Sequence, residues 1–306
     1  MKVNQHHALH TNKVLLLPYS AHHVPTYHAW MQDPSLQIAT ASEPLTLDEE
    51  YAMQRSWRED ADKLTFIVCL PLTRPLPLMA DMRQPAALVH VGVDDAPERM
   101  VGDVNLFLSQ ATDDDDDGEG SGVEGVIGEI ELMIARKDLH RQGYGRAALL
   151  TFTGYIIFHW PTIYLEYKSS QPAAPWPTPP SNQEDSPAEK TPGPASGDRA
   201  CAPPSSIPRD SRPSLRYLRV KIHQNNLPSI ALFESIGYKR TRADKPNYFG
   251  EVELRWRDDG GFLRRLKDLP WMKGDGWDAG VLPFDGGGNG ESVAAAAAAA
   301  AAVNGR

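Results

Sequence analysis

The sequence predicts a mixed α/β domain in which one sheet is covered by helices, and three observations lead to this prediction. Segments with the patterning of strands alternate along the chain with segments of helical periodicity. Hydrophobic residues make up 41% of the 306 residues, which is ordinary for a globular protein with a sizeable core. A glycine-containing turn also leads directly from a strand pattern into an apolar helix pattern.

The first half of the chain is predicted to contain a strand, two helices and a second strand. The opening strand is "KVLLLPY", and the next segment, "SAHHVPTYHAWMQD", is predicted to be a helix with Ser20 as its N-cap. A second helix is predicted over "TLDEEYAMQRSWRED", in which Thr46 and Glu49 have capping-box spacing. The segment "KLTFIVCL" has the composition of a strand, and the proline-rich stretch after it is irregular.

The second half continues the alternation of strands and helices. The strands "VGDVNLFL" and "GEIELMIA" precede the glycine turn, and a helical pattern runs from Arg146 to His159. A strand, "LRYLRVKI", comes next, followed by a helix, "LPSIALFESIG", that Gly237 closes. The last predicted strand is "NYFGEVELRW".

We interpret residues 1–160 and 214–259 as one discontinuous domain. Residues 109–124 are predicted to be an acidic, glycine-rich loop, in which five adjacent aspartates repel one another. Residues 168–213 are predicted to be a disordered insert, because they hold twelve of the 26 prolines and little apolar surface. Residues 260–306 are predicted to be a flexible tail that includes nine consecutive alanines.

Charge and cysteine content argue against several classes of function. The net charge of -9 argues against a general nucleic-acid-binding protein, which needs a dense Lys/Arg surface. Cys69 and Cys201 cannot form a disulfide framework and lack metal-ligand spacing. The start of the chain lacks the apolar core of a secretory signal, and no stretch reaches the roughly 18 apolar residues that span a bilayer. We therefore expect a cytoplasmic protein with no nucleic-acid partner, no membrane partner and no metal.

Two short patterns give the first indication of function. "QGYGRA" places Gly143 and Gly145 between a strand and a helix, where bare backbone and unpaired helix amides can hold a phosphate, although a steric turn would explain the same pair. The second pattern, "NLPSIALFESIGY", has N-x-x-S-x-x-x-F-x-x-x-G-Y spacing from Asn226. Together they resemble the acetyl-CoA signatures of the GNAT N-acetyltransferase superfamily.

Longer segments resemble the eukaryotic N-acetyltransferase 9 type within that superfamily. The resemblance covers residues 14–70, 100–108, 128–153 and 215–254 and leaves out the proline-rich insert and the tail. It implies the GNAT fold, which is a mixed, mostly antiparallel twisted sheet with helices on both faces and splayed central strands that hold acetyl-CoA. It also implies acetyl transfer to a protein N-terminal amine, with tubulin chains as acceptors and an association with microtubules.

The resemblance implies which residues hold acetyl-CoA. Loop amides around Gly143 would wrap the pyrophosphate at the helix N-terminus, and the strand from Glu129 to Ile134 would pair with the pantetheine arm. The amide of Met133 would hydrogen-bond the thioester oxygen and serve as a catalytic donor. The implied cofactor-binding residues are Met133, Ile134, Arg141, Gln142, Gly143, Tyr144, Gly145, Arg146, Asn226, Ser229 and Phe233.

Two positions depart from the pattern of the superfamily. His140 stands where Arg or Gln is usual, and the neighbouring Arg141 can supply the charge for phosphate. Phe233 stands where many relatives carry a tyrosine that protonates the leaving thiolate, and a phenyl ring cannot donate a proton. Water or another group must do so, or the thiolate leaves unprotonated.

Two glutamates on the strand before the glycine turn are candidate catalytic residues. Glu129 and Glu131 lie two residues apart, so their side chains share a face of the strand. A partly buried carboxylate with a raised pKa is a sufficient base for a chain α-amino group, whose own pKa is about 8. The resemblance favours Glu129, because relatives with a glutamate base carry it fourteen residues before the first motif glycine. Glu131 would orient water or the amine, and a solvated strand face is the alternative for both.

The acceptor is the least determined part of the site. Glu43, Leu45 and Thr46 lie where relatives line the acceptor site, and we expect them to contact the substrate. Two other functions stay open. One is an acetyltransferase of small amines, and the other is a GNAT-like protein that binds CoA or microtubules with little catalysis.

Several conspicuous residues are interpreted as structural. Three histidines on the predicted first helix have no acidic or cysteine partner nearby in sequence, so a packing or surface role is favoured over metal ligation. These histidines are His22, His23 and His28. Trp30, Trp57 and Phe66 are predicted core residues.

Overall fold

The computed structural model describes residues 1–74, 89–111, 125–171, 215–241, 246–267 and 281–284. The aspartate run, nearly all of the proline-rich insert, Cys201 and the alanine run lie outside the described residues. The interpretations of those segments therefore stay predictions.

The described residues contain nine strands, which form a single sheet. The strands are β1 (His7–His10), β2 (Leu15–Pro18), β3 (Lys63–Cys69), β4 (Met100–Gln110), β5 (Val126–Ile134), β6 (Leu215–His223), β7 (Lys239–Arg240), β8 (Glu251–Trp256) and β9 (Val281–Pro283). Their order is β7-β8-β6-β5-β4-β3-β2-β1-β9. The pair β5 and β6 is parallel and the other neighbouring pairs are antiparallel, as predicted for a mixed, mostly antiparallel sheet.

Six α-helices lie within the described residues. They are α1 (Val24–Met31), α2 (Pro34–Thr40), α3 (Leu47–Glu59), α4 (Tyr144–Ser170), α5 (Leu227–Glu234) and α6 (Phe262–Lys267). The predicted capping box begins α3, where the Thr46 amide donates to Glu49 Oε2 at 2.8 Å and the Glu49 amide donates to Thr46 Oγ1 at 3.3 Å. None of the helices in the described part of the chain is long and apolar enough to cross a membrane.

Helices cover both faces of the sheet, as the sequence predicts. On one face, α4, α5 and α6 enclose a core in which Phe66 meets Phe152 and Tyr155 edge to face, with ring centroids 5.8 and 5.3 Å apart. On the other face, α1, α2 and α3 cover a second core. Of the predicted core aromatics, Phe66 is fully buried, whereas Trp30 and Trp57 are partly buried at the edge of the second core.

The segment predicted as one helix from Ser20 to Asp33 contains two elements. Ser20 precedes a short 3₁₀ turn, Ala21–His23, and α1 follows it. A further helix, α2, which the sequence patterns do not predict, begins at Pro34 and is capped by Asp33, which accepts from the Ser35 amide at 2.8 Å. Proline suits the first position of a helix but cannot continue a preceding one, so Pro34 separates α1 from α2.

Helix α4 is longer than predicted. It continues past His159 to Ser170 and passes through Pro161. Ile163 and Tyr167 are buried in the core beyond the proline and hold the second half of the helix against the sheet. The domain end predicted at residue 160 and the insert predicted to begin at 168 therefore fall inside a helix. Local composition around a proline does not reveal this packing.

Two strands at one side of the sheet, β1 and the edge strand β9, also depart from the sequence-based expectation. His7 pairs with Pro283 and Leu9 pairs with Val281, so strands from opposite ends of the chain lie side by side. Leu282 is buried, as are residues of α6. The prediction of a flexible tail is therefore wrong for residues 262–267 and 281–284. No local pattern reveals a strand whose partner lies at the other end of the sequence.

We expect Phe284→Ala to lower the free energy of unfolding by about 3 kcal/mol, because a large buried side chain would be replaced by a cavity. Phe284 is 1% exposed, and its amide donates to the His6 carbonyl at 3.1 Å. Urea unfolding measures the change. Phe249→Ala is the control, because Phe249 is 74% exposed. Equal stability of the two variants would mean that this end of the chain does not pack on the sheet.

Candidate active site

The two central strands of the sheet separate partway along their length. Parallel pairing joins Val126 to Leu215 and ends where Glu129 pairs with Arg219. Beyond that point β5 continues to Ile134 and stays paired with β4 on its other side. Strand β6 continues to His223 and, within the described residues, is paired only with β8. The last five residues of β5 therefore face an open cleft. This is the splay that the resemblance to GNAT acetyltransferases implies.

The glycine turn lies at the end of this cleft. Gly143 is the N-cap of α4 with φ of +87°, a conformation that favours glycine. A Cβ on Gly145 would lie 3.4 Å from Leu232 of α5 and 3.6 Å from Ile134 of β5. The N-cap makes no side-chain hydrogen bond, and the first turn of α4 contains no acidic residue. The first amides of a 27-residue helix are thus left for an anion.

Other predicted cofactor residues surround the turn. Arg141 and Gln142 are exposed, and Gln142 Nε2 donates to the Asp138 carbonyl at 2.6 Å. Arg146 Nη1 donates to Ser235 Oγ at 2.7 Å and so connects the start of α4 to α5. Tyr144 is partly buried beside these residues.

Asn226 and Ser229 act together at the start of α5. Asn226 is the N-cap, and its side chain accepts from the Ser229 amide at 3.3 Å. This cap gives Asn226 a structural role at the start of α5. Contact of either residue with CoA stays a prediction.

The predicted contact of Phe233 with the cofactor does not fit the structure. Phe233 is 3% exposed, and its ring packs edge to face on Tyr238 with centroids 5.0 Å apart and an interplanar angle of 88°. The ring therefore belongs to the core under α5. Sequence spacing identifies the helix position but does not show that the side chain is enclosed.

The predicted role of the Met133 amide is also wrong. The Ala135 amide donates to the Val101 carbonyl on β4 at 2.9 Å, and backbone groups alternate in direction along a strand. The backbone of Met133, which pairs with Asp103, therefore faces β4 as well. The amides of Leu132 and Ile134 face the open cleft instead. In agreement, His140 Nε2 reaches the Ile134 carbonyl at 2.7 Å on that side.

Glu129, the expected base, forms ion pairs with two cationic side chains. Its Oε2 accepts from Arg219 Nε at 2.8 Å and lies 3.2 Å from Lys221 Nζ. Both partners come from β6. A carboxylate oxygen that already receives two cationic donors is poorly placed to take a proton from an amine. These ion pairs count against the choice of Glu129 as base, and its catalytic role stays a prediction.

Glu131 has the properties that the sequence analysis assigned to Glu129. It lies on the same face of β5, where the strand is no longer paired with β6, and its side chain is exposed. The surrounding protein and the charge of Glu129 raise the pKa of Glu131 to about 7, although Lys221 opposes the shift. A carboxylate with this pKa is suited to proton transfer at neutral pH.

A polar layer behind Glu131 is missed by the sequence reasoning. Thr65, Asn105 and Glu131 pair in one row across β3, β4 and β5. Asn105 Nδ2 donates to Asp103 Oδ2 at 2.6 Å, whereas the buried Asp103 Oδ1, Asn105 Oδ1 and Thr65 Oγ1 have no hydrogen-bond partner among the described residues. Burial raises the pKa of Asp103 to about 7, with a further contribution from Glu131 and an opposing one from Asn105. The alternation of Asp103 and Asn105 in "VGDVNLFL" is the signal that could have revealed this layer.

The predicted acceptor residues lie in the connection between α2 and α3. Glu43 is exposed, Leu45 is partly buried, and Thr46 caps α3 through Glu49. The cap gives Thr46 a structural role. Substrate contact by any of the three stays a prediction.

The histidines at the start of α1 do have an acidic partner, which comes from a distant part of the chain. His22 Nε2 and His23 Nε2 lie 2.7 and 3.0 Å from Asp95 Oδ2. The Ser20 amide donates to His23 Nδ1 at 3.0 Å, so the proton of this ring must be on Nε2. His23 therefore donates to Asp95 and has no free lone pair for a metal ion. The cluster attaches the loop before β4 to α1, and His28 lies apart from it near Glu50, at 3.8 Å.

Comparison with known proteins adds to this geometry. The family model described as acetyltransferase (GNAT) domain matches residues 13–239. The N-acetyltransferase 9-like protein of Schizosaccharomyces pombe is 33% identical over 83% of this chain and 97% of its own length. The alpha/beta-tubulin-N-acetyltransferase 9 of Homo sapiens is 44% identical over 51% of this chain, and the match spans 63% of the human protein. The Drosophila melanogaster protein of the same name is 40% identical over 56% of this chain and 68% of its own.

Proposed function

Because this chain belongs to the GNAT acetyltransferase family, we propose that it transfers an acetyl group from acetyl-CoA to the α-amine of a protein N-terminus. Membership confirms the predicted fold class and makes the protein an N-acetyltransferase. The observation that carries the proposal is the open cleft between β5 and β6, with the Glu131 carboxyl group on the strand that borders it.

The residues around the cleft fit acetyl-CoA, which GNAT acetyltransferases use and which supplies an activated acetyl thioester. The uncapped amides at the start of α4 suit its pyrophosphate. The unpaired backbone of Leu132 and Ile134 suits the pantetheine arm, because an extended chain can add to an open strand edge. Arg141 and Arg146 provide positive charge beside the turn.

The remaining chemistry is the deprotonation of the acceptor amine. At pH 7, neutralising a chain α-amine costs about 1 kcal/mol, whereas neutralising a lysine side chain costs about 5 kcal/mol. Glu131, with its pKa raised to about 7, is matched to the first task and not to the second. This difference supports an N-terminal α-amine as the acceptor in preference to lysine.

The names of the relatives support tubulin as the acceptor. Two of them are called alpha/beta-tubulin-N-acetyltransferase 9, in Homo sapiens and Drosophila melanogaster. We propose that this protein also modifies tubulin N-termini. A cytoplasmic location with access to microtubules, and no nucleic-acid or membrane partner, forms part of the same proposal.

Acetyl transfer from labelled acetyl-CoA tests the proposal. The acceptors are tubulin N-terminal peptides, a peptide with a blocked N-terminus and one lysine, and spermidine. We expect label on the free N-terminus only, located by mass spectrometry. Transfer to spermidine but not to peptides would favour a small-amine acetyltransferase. CoA binding without transfer to any acceptor would favour a binding protein, an alternative that the enclosed Phe233 ring supports because it cannot protonate a thiolate.

Gly145→Ala should weaken acetyl-CoA binding and leave the stability of the protein nearly unchanged. The added Cβ meets nothing closer than Leu232 at 3.4 Å, so the melting temperature should change by no more than about 2 °C. The methyl group would nevertheless stand at the helix end that the pyrophosphate approaches, and we expect acetyl-CoA affinity to fall at least about tenfold. Calorimetric titration measures the affinity. Unchanged affinity would show that the pyrophosphate does not approach this turn.

A further inference from the structure

Lys13 lies far from both acetyl-CoA signatures in sequence but beside the glycine turn in space. It belongs to the turn between β1 and β2, outside the motif that begins α4. Thr11 fixes the conformation of this turn, because its Oγ1 accepts from the amides of Lys13 and Val14 at 3.1 and 2.9 Å. The backbone from which the lysine side chain extends is therefore well defined.

The side chain of Lys13 reaches the first residues of α4. Its Cε lies 4.0 Å from the position that a Cβ on Gly143 would occupy. Its Nζ stands 4.4 Å above the centroid of the Tyr144 ring, in cation–π geometry. Gly143 and Tyr144 are the N-cap and the first residue of the helix. The ammonium group is thus held at the helix terminus where the proposed pyrophosphate site begins.

The charges at this terminus are not balanced by the protein. The N-terminus of a helix carries a partial positive charge, so a cation placed there is unfavourable. No carboxylate of the described residues forms an ion pair with Lys13, and the first turn of α4 has no acidic side chain. Arg141, also exposed at this turn, adds a second cation. A helix end without a capping side chain, two cations and a first turn without an acidic residue together indicate an anionic ligand.

We propose that Lys13 is a further cofactor-binding residue, whose ammonium group binds the pyrophosphate of acetyl-CoA from the side of Gly143. Arg146 and the amides of α4 approach the same group from the side of α5. The inference rests on the proposed function, since it takes acetyl-CoA as the ligand. It assigns the β1–β2 hairpin a part in cofactor recognition.

Calorimetric titration of Lys13→Met with acetyl-CoA tests the inference. Loss of one charged contact with phosphate should weaken binding about tenfold at low salt, and Lys13→Arg should retain most of the affinity. Lys168→Met is the matched control, because it removes the same charge from the opposite end of α4. It should bind acetyl-CoA as the native protein does.

Dephospho-CoA, which lacks the 3′-phosphate, identifies the phosphate concerned. If Lys13 contacts the pyrophosphate, Lys13→Met should lose the same factor of affinity for CoA and for dephospho-CoA. A loss confined to CoA would overturn the pyrophosphate assignment, and equal binding by Lys13→Met and the native protein would overturn the inference. Failure of the native protein to bind acetyl-CoA would instead count against the proposed function.

Discussion

Replacing Glu131 by glutamine should lower kcat/KM for the acceptor peptide by about 10²- to 10⁴-fold, the range by which general bases contribute. Glutamine keeps the shape of the side chain but cannot accept a proton from the amine. Affinity for acetyl-CoA should stay within about twofold, because the carboxyl group does not belong to the pyrophosphate site. Steady-state kinetics and calorimetric titration measure the two quantities.

The pH dependence identifies the base. The carboxyl group must be ionised to act, so kcat/KM of the native protein should fall as the pH decreases through about 7, in addition to the fall below about pH 8 that protonation of the acceptor α-amine causes. Burial by the surrounding protein is the main cause of this raised pKa; Glu129 and Glu251 raise it further, and Lys221 opposes the shift. Glu129→Gln removes the ion pairs to β6 but should leave a rising profile. Loss of the ionisation near pH 7 in Glu129→Gln, together with its retention in Glu131→Gln, would support Glu129 as the base instead.

Gly102→Ala should cause a large loss of stability. A Cβ at this position on β4 would overlap the Met133 carbonyl oxygen and lie 3.0 Å from Ile134 Cα. Both atoms belong to the backbone of β5, so rotation of a side chain cannot relieve the clash. We expect a loss of about 3 kcal/mol in the free energy of unfolding and a marked loss of acetyl-CoA affinity, because β5 must move.

Urea unfolding measures the stability of this variant. Gly92→Ala is the matched control, since the added Cβ meets nothing within 4 Å and the only cost comes from its φ of +76°. That cost should be about 1 kcal/mol. If the two variants lose the same stability, the close approach of β4 and β5 at Gly102 is not as the structure shows it.

The sequence predicts the parts of the fold that local patterns determine. The capping box at Thr46 and Glu49 depends on residues three apart, and it is confirmed. The pairing of β1 with β9 depends on residues at opposite ends of the chain, and no local signal reveals it. The continuation of α4 past Pro161 depends on burial against the core.

The candidate site likewise combines features that local patterns predict with features that depend on residues distant in sequence. The glycine turn and the paired glutamates are visible in the sequence, but their environments are not. Arg219, which forms an ion pair with Glu129, lies on β6 and is ninety residues away in sequence. Asp95, the partner of His22 and His23, is similarly distant. Alternation along a strand predicts that Glu129 and Glu131 share a face, whereas their different roles follow from what the neighbouring strands bring to them.

Hydrogen exchange of the backbone amides, with and without acetyl-CoA, tests most directly whether the open side of β5 receives the cofactor. Leu132 and Ile134 have amides that face the cleft, so they should exchange rapidly in the free protein and become protected with the cofactor. The first amides of α4, from Tyr144 to Arg146, should be protected with them. The Met133 amide, which faces β4, should be protected in both states. Protection by acetyl-CoA elsewhere in the chain, with no change at these amides, would contradict this account of the site.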